Sequence, residues 1–102
     1  GTNVFVVVDG VVNTPPLASG CLAGVTRALV IEACHAAGLP VRQDSLPCLI
    51  LKSCDEAFLT SSTRDVHPLA RIDDRELPGL GGPCTVRVAE AFKAFIAGRD
   101  DP

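Results

Sequence analysis

The sequence predicts an α/β (or α+β) domain, a mixed sheet with helices packed against it. Three observations point there. Runs of β-branched residues alternate along the chain with segments whose apolar residues recur at helical spacing. The hydrophobic content is 47%, yet the aromatic residues are four Phe with no Tyr and no Trp. The core must therefore be Val, Leu, Ile and Ala, side chains that suit strands laid on helices. A chain of 102 residues is long enough to bury roughly two-thirds of its surface as one domain, or as part of one.

The first element is Val4-Phe5-Val6-Val7-Val8, followed by Asp9-Gly10 and then Val11-Val12. Asp-Gly between two β-branched runs signals a hairpin. The first strand is apolar on both faces and so needs cover on both. Asn13-Thr14-Pro15-Pro16 breaks the second strand and begins a loop that ends at Gly20. Residues 25–37 form a helix, with Val25, Leu29, Ala33 and Ala37 (or Val30 and Cys34) recurring at helical spacing and Gly38 stopping it before Pro40. Val41 to Gln43 reads as a short strand. Ser45-Leu46-Pro47 opens a short helical turn, with Ser45 placed to cap it. After a corner at Cys54-Asp55-Glu56, Ala57 to Thr60 is a strand. Val66 to Ile72 is extended and interrupted by Pro68, Asp73 to Glu76 is a charged turn, and Pro78 to Pro83 is a loop. The last helix runs from Thr85, its cap, to Ala97, with Val88, Ala89, Phe92, Phe95 and Ile96 as its stripe.

Composition excludes several classes. The net charge is −3 with no basic stripe, which argues against a nucleic-acid surface. No apolar run is long enough to cross a bilayer. The first residues lack the basic stretch and cleavage site of a secretory signal, so the expectation is a cytoplasmic protein with no membrane partner. Five cysteines, at 21, 34, 48, 54 and 84, form no CxxC pair, and His35 and His67 have no ligand spacing to them. No metal site is expected, and buried reduced thiols are the preferred reading.

Two short stretches carry the chemistry. Leu22-Ala23-Gly24-Val25-Thr26 opens a helix, where unpaired backbone N–H groups and the positive end of the dipole make a seat for a phosphate or carboxylate. Thr60-Ser61-Ser62-Thr63 closes a strand with hydroxyls. If the fold brings them together, they form a cup for one doubly charged anion; alone, each also reads as an ordinary helix start or strand end. Other constellations are weaker. His67 and Asp65 lie near Ser61 and Ser62, but neighbours on a strand alternate faces and no nucleophile elbow is present. His67 reads as a loop or core histidine, and His35 as a surface or packing residue. Asp55-Glu56 can be an acid and base or a corner where carboxylates cap backbone amides, and the second is preferred. Lys52 and Lys93, the only lysines, show no sign of the dry pocket that a covalent lysine needs. Arg64 can meet a substrate carboxylate or form an ion pair with Asp65 or Asp73.

Taken in order, Asn3-Val4-Phe5, Asp9-Gly10, Thr14-Pro15-Pro16, Leu22-Ala23-Gly24-Val25-Thr26-Arg27, Gly38, Asp55 to Thr63, Pro68 and Gly82-Pro83-Cys84-Thr85 resemble the class IV (fold type IV) pyridoxal-phosphate enzymes. That family holds branched-chain and D-amino acid aminotransferases and 4-amino-4-deoxychorismate lyase. The resemblance implies the large, cofactor-binding domain of that fold, with pyridoxal 5′-phosphate as cofactor and an amino acid and a 2-oxo acid as substrates. It implies that Leu22 packs on the pyridine ring, and that Val25 and Thr26 hold the phosphate through backbone amides and the Thr26 hydroxyl. Ser62 would add a hydroxyl and an amide. Ser61 and Thr63 would line the pocket, with the Thr63 amide near the substrate carboxylate, and Arg64 is a substrate candidate.

The same resemblance expects a catalytic lysine, a phosphate-binding Arg and a Glu for the pyridine nitrogen, and no residue here matches them. Residues 1–102 would then be the C-terminal segment of the cofactor domain, with no catalytic residue of its own and no turnover in isolation. The missing N-terminal part of the protein would be a partner and would cover the first strand, leaving the isolated chain with a broad apolar surface. A homodimer is the quaternary state that the family implies. Cys84 stands where the family usually has Val, and the Ser-Ser-Thr-Arg-Asp run tilts toward the lyase. A non-catalytic anion-binding α/β module and a ligand-free oligomer interface are the readings from other classes.

Overall fold

A computed structural model describes residues 2–16, 24–46, 48–61, 66–72, 74–77 and 81–99. The elements follow as β1 (Thr2–Val8), β2 (Val11–Thr14), α1 (Val25–Ala36), β3 (Val41–Gln43), α2 (Cys48–Ser53), β4 (Glu56–Ser61), β5 (Val66–Pro68), β6 (Arg71–Ile72), β7 (Arg75–Glu76) and α3 (Pro83–Arg99). One sheet has the order β3-β2-β1-β4-β5, and β6 and β7 pair as a separate ribbon. β1 is antiparallel to β2 and β4, β4 to β5, while β2 and β3 are parallel, so the sheet is mixed as expected. The Asp9-Gly10 turn has φ of 50° and 79°. Both central residues are left-handed, which a two-residue hairpin of the correct twist requires and which glycine adopts without strain.

Side chains alternate across β1. Phe5 and Val7 join Val12, Val30, Cys34, Phe58 and Val88 in the core beneath α1 and α3. Phe5 and Phe58 are register partners with rings stacked at 4.9 Å. Val6 faces the other way, into a smaller cluster with Cys54 and Ala57, walled by Ile50 and Leu51 of α2 and by Leu69, Ile72 and Leu77 around the ribbon. Phe5 and Val6 are 0% exposed and Val7 is 1% exposed. This corrects the expectation that β1 relies on missing segments: α1 and α3 cover one face, and α2 with the ribbon covers the other.

Four element readings also change. In α1 the buried residues include Leu29, Val30, Ala33 and Cys34, whereas Val25 and Ala37, at the two ends, are exposed. A Cα–Cβ bond tilts toward the helix N-terminus, so the first side chain projects past the layer it would pack on. β2 continues through Asn13 and Thr14, because both pair with β3 and the Thr14 hydroxyl donates to Val4 O at 2.8 Å. Arg75 and Glu76 belong to a strand rather than to a turn. The Arg75 guanidinium donates to the Cys54 carbonyl and reaches its sulfur at 3.7 Å, pinning the ribbon to the end of α2. Finally, α3 starts at Pro83, two residues before Thr85, and ends at Arg99. Its first-turn amides, Cys84 N and Thr85 N, donate to the Glu56 carboxylate at 3.1 and 2.6 Å. Glu56 does the capping assigned to Thr85, and proline is tolerated at the first helical position.

Candidate functional site

One end of the sheet gathers the candidate residues. β1 begins there, and β2, β3 and β4 finish there at Thr14, Gln43 and Ser61. α1 starts at the same end. Its N-cap, Gly24, is extended at φ −66° and ψ 138°, no side chain caps it, and the first turn holds no acid. The first helical bond is Ala28 N to Gly24 O at 3.2 Å, so the amides of residues 25–27 have no partner within the helix. A methyl group on Gly24 would overlap Oδ1 of Asn3. That close approach seats the helix start directly on the first residues of β1.

Asn3 is the register partner of Thr60, and Thr2 of Ser61. The helix start and the hydroxyl-bearing end of β4 are therefore joined through a single buried side chain. Because strand residues alternate, Asn3, Phe5, Phe58 and Thr60 share the face under α1, and Ser61 faces away with Thr2 and Leu59. Thr60 is 1% exposed and its hydroxyl has no hydrogen-bond partner among the described residues. Of the two described hydroxyls on β4, Thr60 is the one turned toward α1. Thr26 is buried and Val25 exposed. Leu22, Ser62, Thr63 and Arg64 lie outside the described residues.

Arg27, in the first turn of α1, is 4% exposed. Its Nη2 donates to Pro15 O at 2.8 Å and to Gln43 Oε1 at 3.0 Å, and Nε has no acceptor among the described residues. It ties the segment after β2 and the end of β3 to the helix start. The sequence motifs give no separate role to Arg27 or Asn3, and they include Thr60 only as part of the hydroxyl run. An arginine three residues after the helix-opening glycine, beside an anion seat, was the signal for the first.

The other candidates fall elsewhere. Asp55 and Glu56 sit at the opposite end of β4, where Asp55 accepts from the Asp9 amide at 2.9 Å and Glu56 caps α3, so both carboxylates bind backbone amides as expected of a corner. His67 is exposed on the edge strand β5, Asp65 is outside the described residues, and His35 is exposed in the last turn of α1. Lys52 is exposed on α2, beneath the sheet, and Lys93 is exposed on α3 beside a cleft of about 170 Å³ with Pro68 and Thr85. Among the described residues no cluster of three His, Cys, Asp or Glu is placed to hold a metal. No described helix is long and apolar enough to cross a membrane. Cys34 is raised from its ordinary value of 9.0 to about 11, first by burial and second by the neighbouring Cys84 thiol.

Comparison with known proteins gives a consistent picture. The family model for amino-transferase class IV matches residues 1–72. The branched-chain-amino-acid aminotransferase of Escherichia coli (strain K12) is 33% identical over 102 residues, 99% of this chain and 33% of that protein. A crystal structure of the branched-chain aminotransferase from Thermoproteus uzoniensis with norvaline superposes with a TM-score of 0.87 at 36% identity, over 99% of this chain and 33% of that one. An aminotransferase from Brucella abortus bound to the co-factor PLP gives 0.85 at 32% identity, over 92% and 33%. The chain spans about a third of the length of the relatives it matches.

Proposed function

Since this chain belongs to the amino-transferase class IV family, we propose that it forms the C-terminal segment of the cofactor domain of a pyridoxal-phosphate aminotransferase. The complete protein would move an amino group between an amino acid and a 2-oxo acid, in the cytoplasm, as a homodimer. The observation that carries this reading is the uncapped start of α1 resting on Asn3, whose strand partner is Thr60. The donor set suits a phosphate monoester: helix-start amides without partners in the helix, a buried threonine, a buried arginine and no acid in the first turn.

In this reading the amides of Val25 and Thr26, with the Thr26 hydroxyl, bind and orient the phosphate. Leu22 supplies an apolar surface for the ring. Ser62 adds a donor from the second turn, Ser61 and Thr63 border the pocket, and Thr63 and Arg64 meet the substrate carboxylate. The cofactor ring supplies the electron sink that loosens bonds at the amino acid's α-carbon. The covalent lysine comes from outside this chain, since Lys52 and Lys93 are both exposed, on α2 and α3, and a covalent lysine needs a dry pocket.

The test uses the complete polypeptide. With pyridoxal 5′-phosphate bound, a branched-chain amino acid and 2-oxoglutarate should yield glutamate; release of pyruvate from aminodeoxychorismate with no glutamate would assign the lyase branch instead. Thr26→Ala and Ser62→Ala should each weaken cofactor binding, and no change in either would leave a ligand-free interface as the better account.

A further inference from the structure

We propose that Arg27 is a positioning residue for the phosphate seat, its guanidinium supplying the buried positive charge that the cofactor's phosphate neutralises. The inference rests on the cofactor reading above and adds to it a residue to which no role had been given. A buried guanidinium normally has a carboxylate beside it, because an unpaired charge away from water is costly. Arg27 is 4% exposed, yet both oxygens it reaches through Nη2, Pro15 O and Gln43 Oε1, are neutral. Nε is buried with no acceptor among the described residues, and the first turn of α1 holds no acid. Among the described residues the charge is left without a carboxylate partner.

The place of that charge gives it a use. Arg27 follows Thr26 directly, in the same turn whose amides lack helical partners. Helix dipole and guanidinium therefore belong to one turn of one helix, with the guanidinium held at the ends of β2 and β3, and an anion seated at that helix start is favoured by both. Its two hydrogen bonds also hold the segment after β2 and the end of β3 against the helix start, so the charge is kept in place before a ligand arrives. An arginine serving only to brace the loop would be stabilised further by an acid at position 43. Gln43 donates no such charge.

Gln43→Glu separates the two roles, since it leaves the shape unchanged and gives Arg27 a counter-ion of its own. The apo form of the complete polypeptide is titrated with pyridoxal 5′-phosphate and with pyridoxal, which lacks the phosphate, and melting is followed alongside. The expected result is a loss of about tenfold in affinity for the phosphate ester, the scale of a unit charge acting across a partly screened site. Affinity for pyridoxal should be unchanged, and Tm equal or higher. Arg27→Met should show the same selective loss, with Arg27→Lys between; should Arg27→Met not fold, Gln43→Glu decides alone. Equal losses for both ligands, or no loss in Gln43→Glu, would overturn the role for Arg27. A wild-type protein that prefers pyridoxal 5′-phosphate no more than pyridoxal would instead overturn the cofactor reading, and this role with it.

Discussion

The Glu56 carboxylate accepts the Thr85 backbone N–H at 2.6 Å, joining the first residue of β4 to the first turn of α3. The same group accepts from Cys84 N at 3.1 Å and is 7% exposed. A charge-assisted cap in so dry a place contributes more than a surface cap does, and its removal strands two amides. Glu56→Ala should destabilise the chain by about 2–3 kcal/mol and Glu56→Gln by about half as much, read as urea midpoints. Equal midpoints for wild type and Glu56→Ala would mean that α3 starts without this carboxylate.

Gly24→Ala should be destabilising for a local reason, since its methyl group would overlap Asn3 Oδ1. The cost of such overpacking is about 1–3 kcal/mol. Asn3→Ala removes the obstacle, so the double variant should regain part of the loss. Two penalties that simply add would show that helix start and strand start are not in contact.

Burial also sets a pH limit. Cys34 is 0% exposed and its thiol is held neutral up to about pH 11, and burial, followed by the Glu56 charge, raises Cys84 as well. A raised pKa in the folded state means that the unfolded chain loses its protons first. The stability that the Cys34 thiol contributes is therefore complete below pH 9.0 and is lost as pH rises from there toward about 11, and Cys84 acts in the same direction. Cys34→Ala should flatten that decline in urea midpoints between pH 8 and pH 11. At pH 8 the native chain should alkylate at Cys34 only after unfolding, and rapid labelling of the folded protein would contradict the burial described.

Much of this fold was legible in the sequence, because each signal was local. Asp9-Gly10 sets a hairpin by its own backbone preference, and Gly38 stops α1 before Pro40 by its left-handed φ of 75°. What escaped depends on partners far along the chain. Nothing near Thr85 tells that Glu56, 29 positions earlier, caps α3. Nothing near Arg75 tells that Cys54 anchors it into a ribbon. The site followed the same rule. The helix start at Gly24 was read from its small residues and dipole, while the roles of Asn3 and Thr60 come from strand register, which no short motif encodes.

The layered cover of β1 leads to a prediction about the chain by itself. Val6 is 0% exposed on the α2 side and Phe5 is 0% exposed on the α1 side. If both faces are closed from within, truncation on either must be costly. Phe5→Ala should cost about 3–5 kcal/mol and Val6→Ala about 2 kcal/mol, from lost burial and the cavity left behind. If the α2 face were open in the isolated chain, Val6 would already touch water and Val6→Ala would cost a few tenths. The full chain should also unfold in one cooperative urea transition and bind little of an apolar dye such as ANS, since Val25, Leu49 and Val86 are the exposed large hydrophobics among the described residues. Strong dye binding by the native chain, together with a negligible effect of Val6→Ala, would show that the second face of β1 is closed only by something outside these residues.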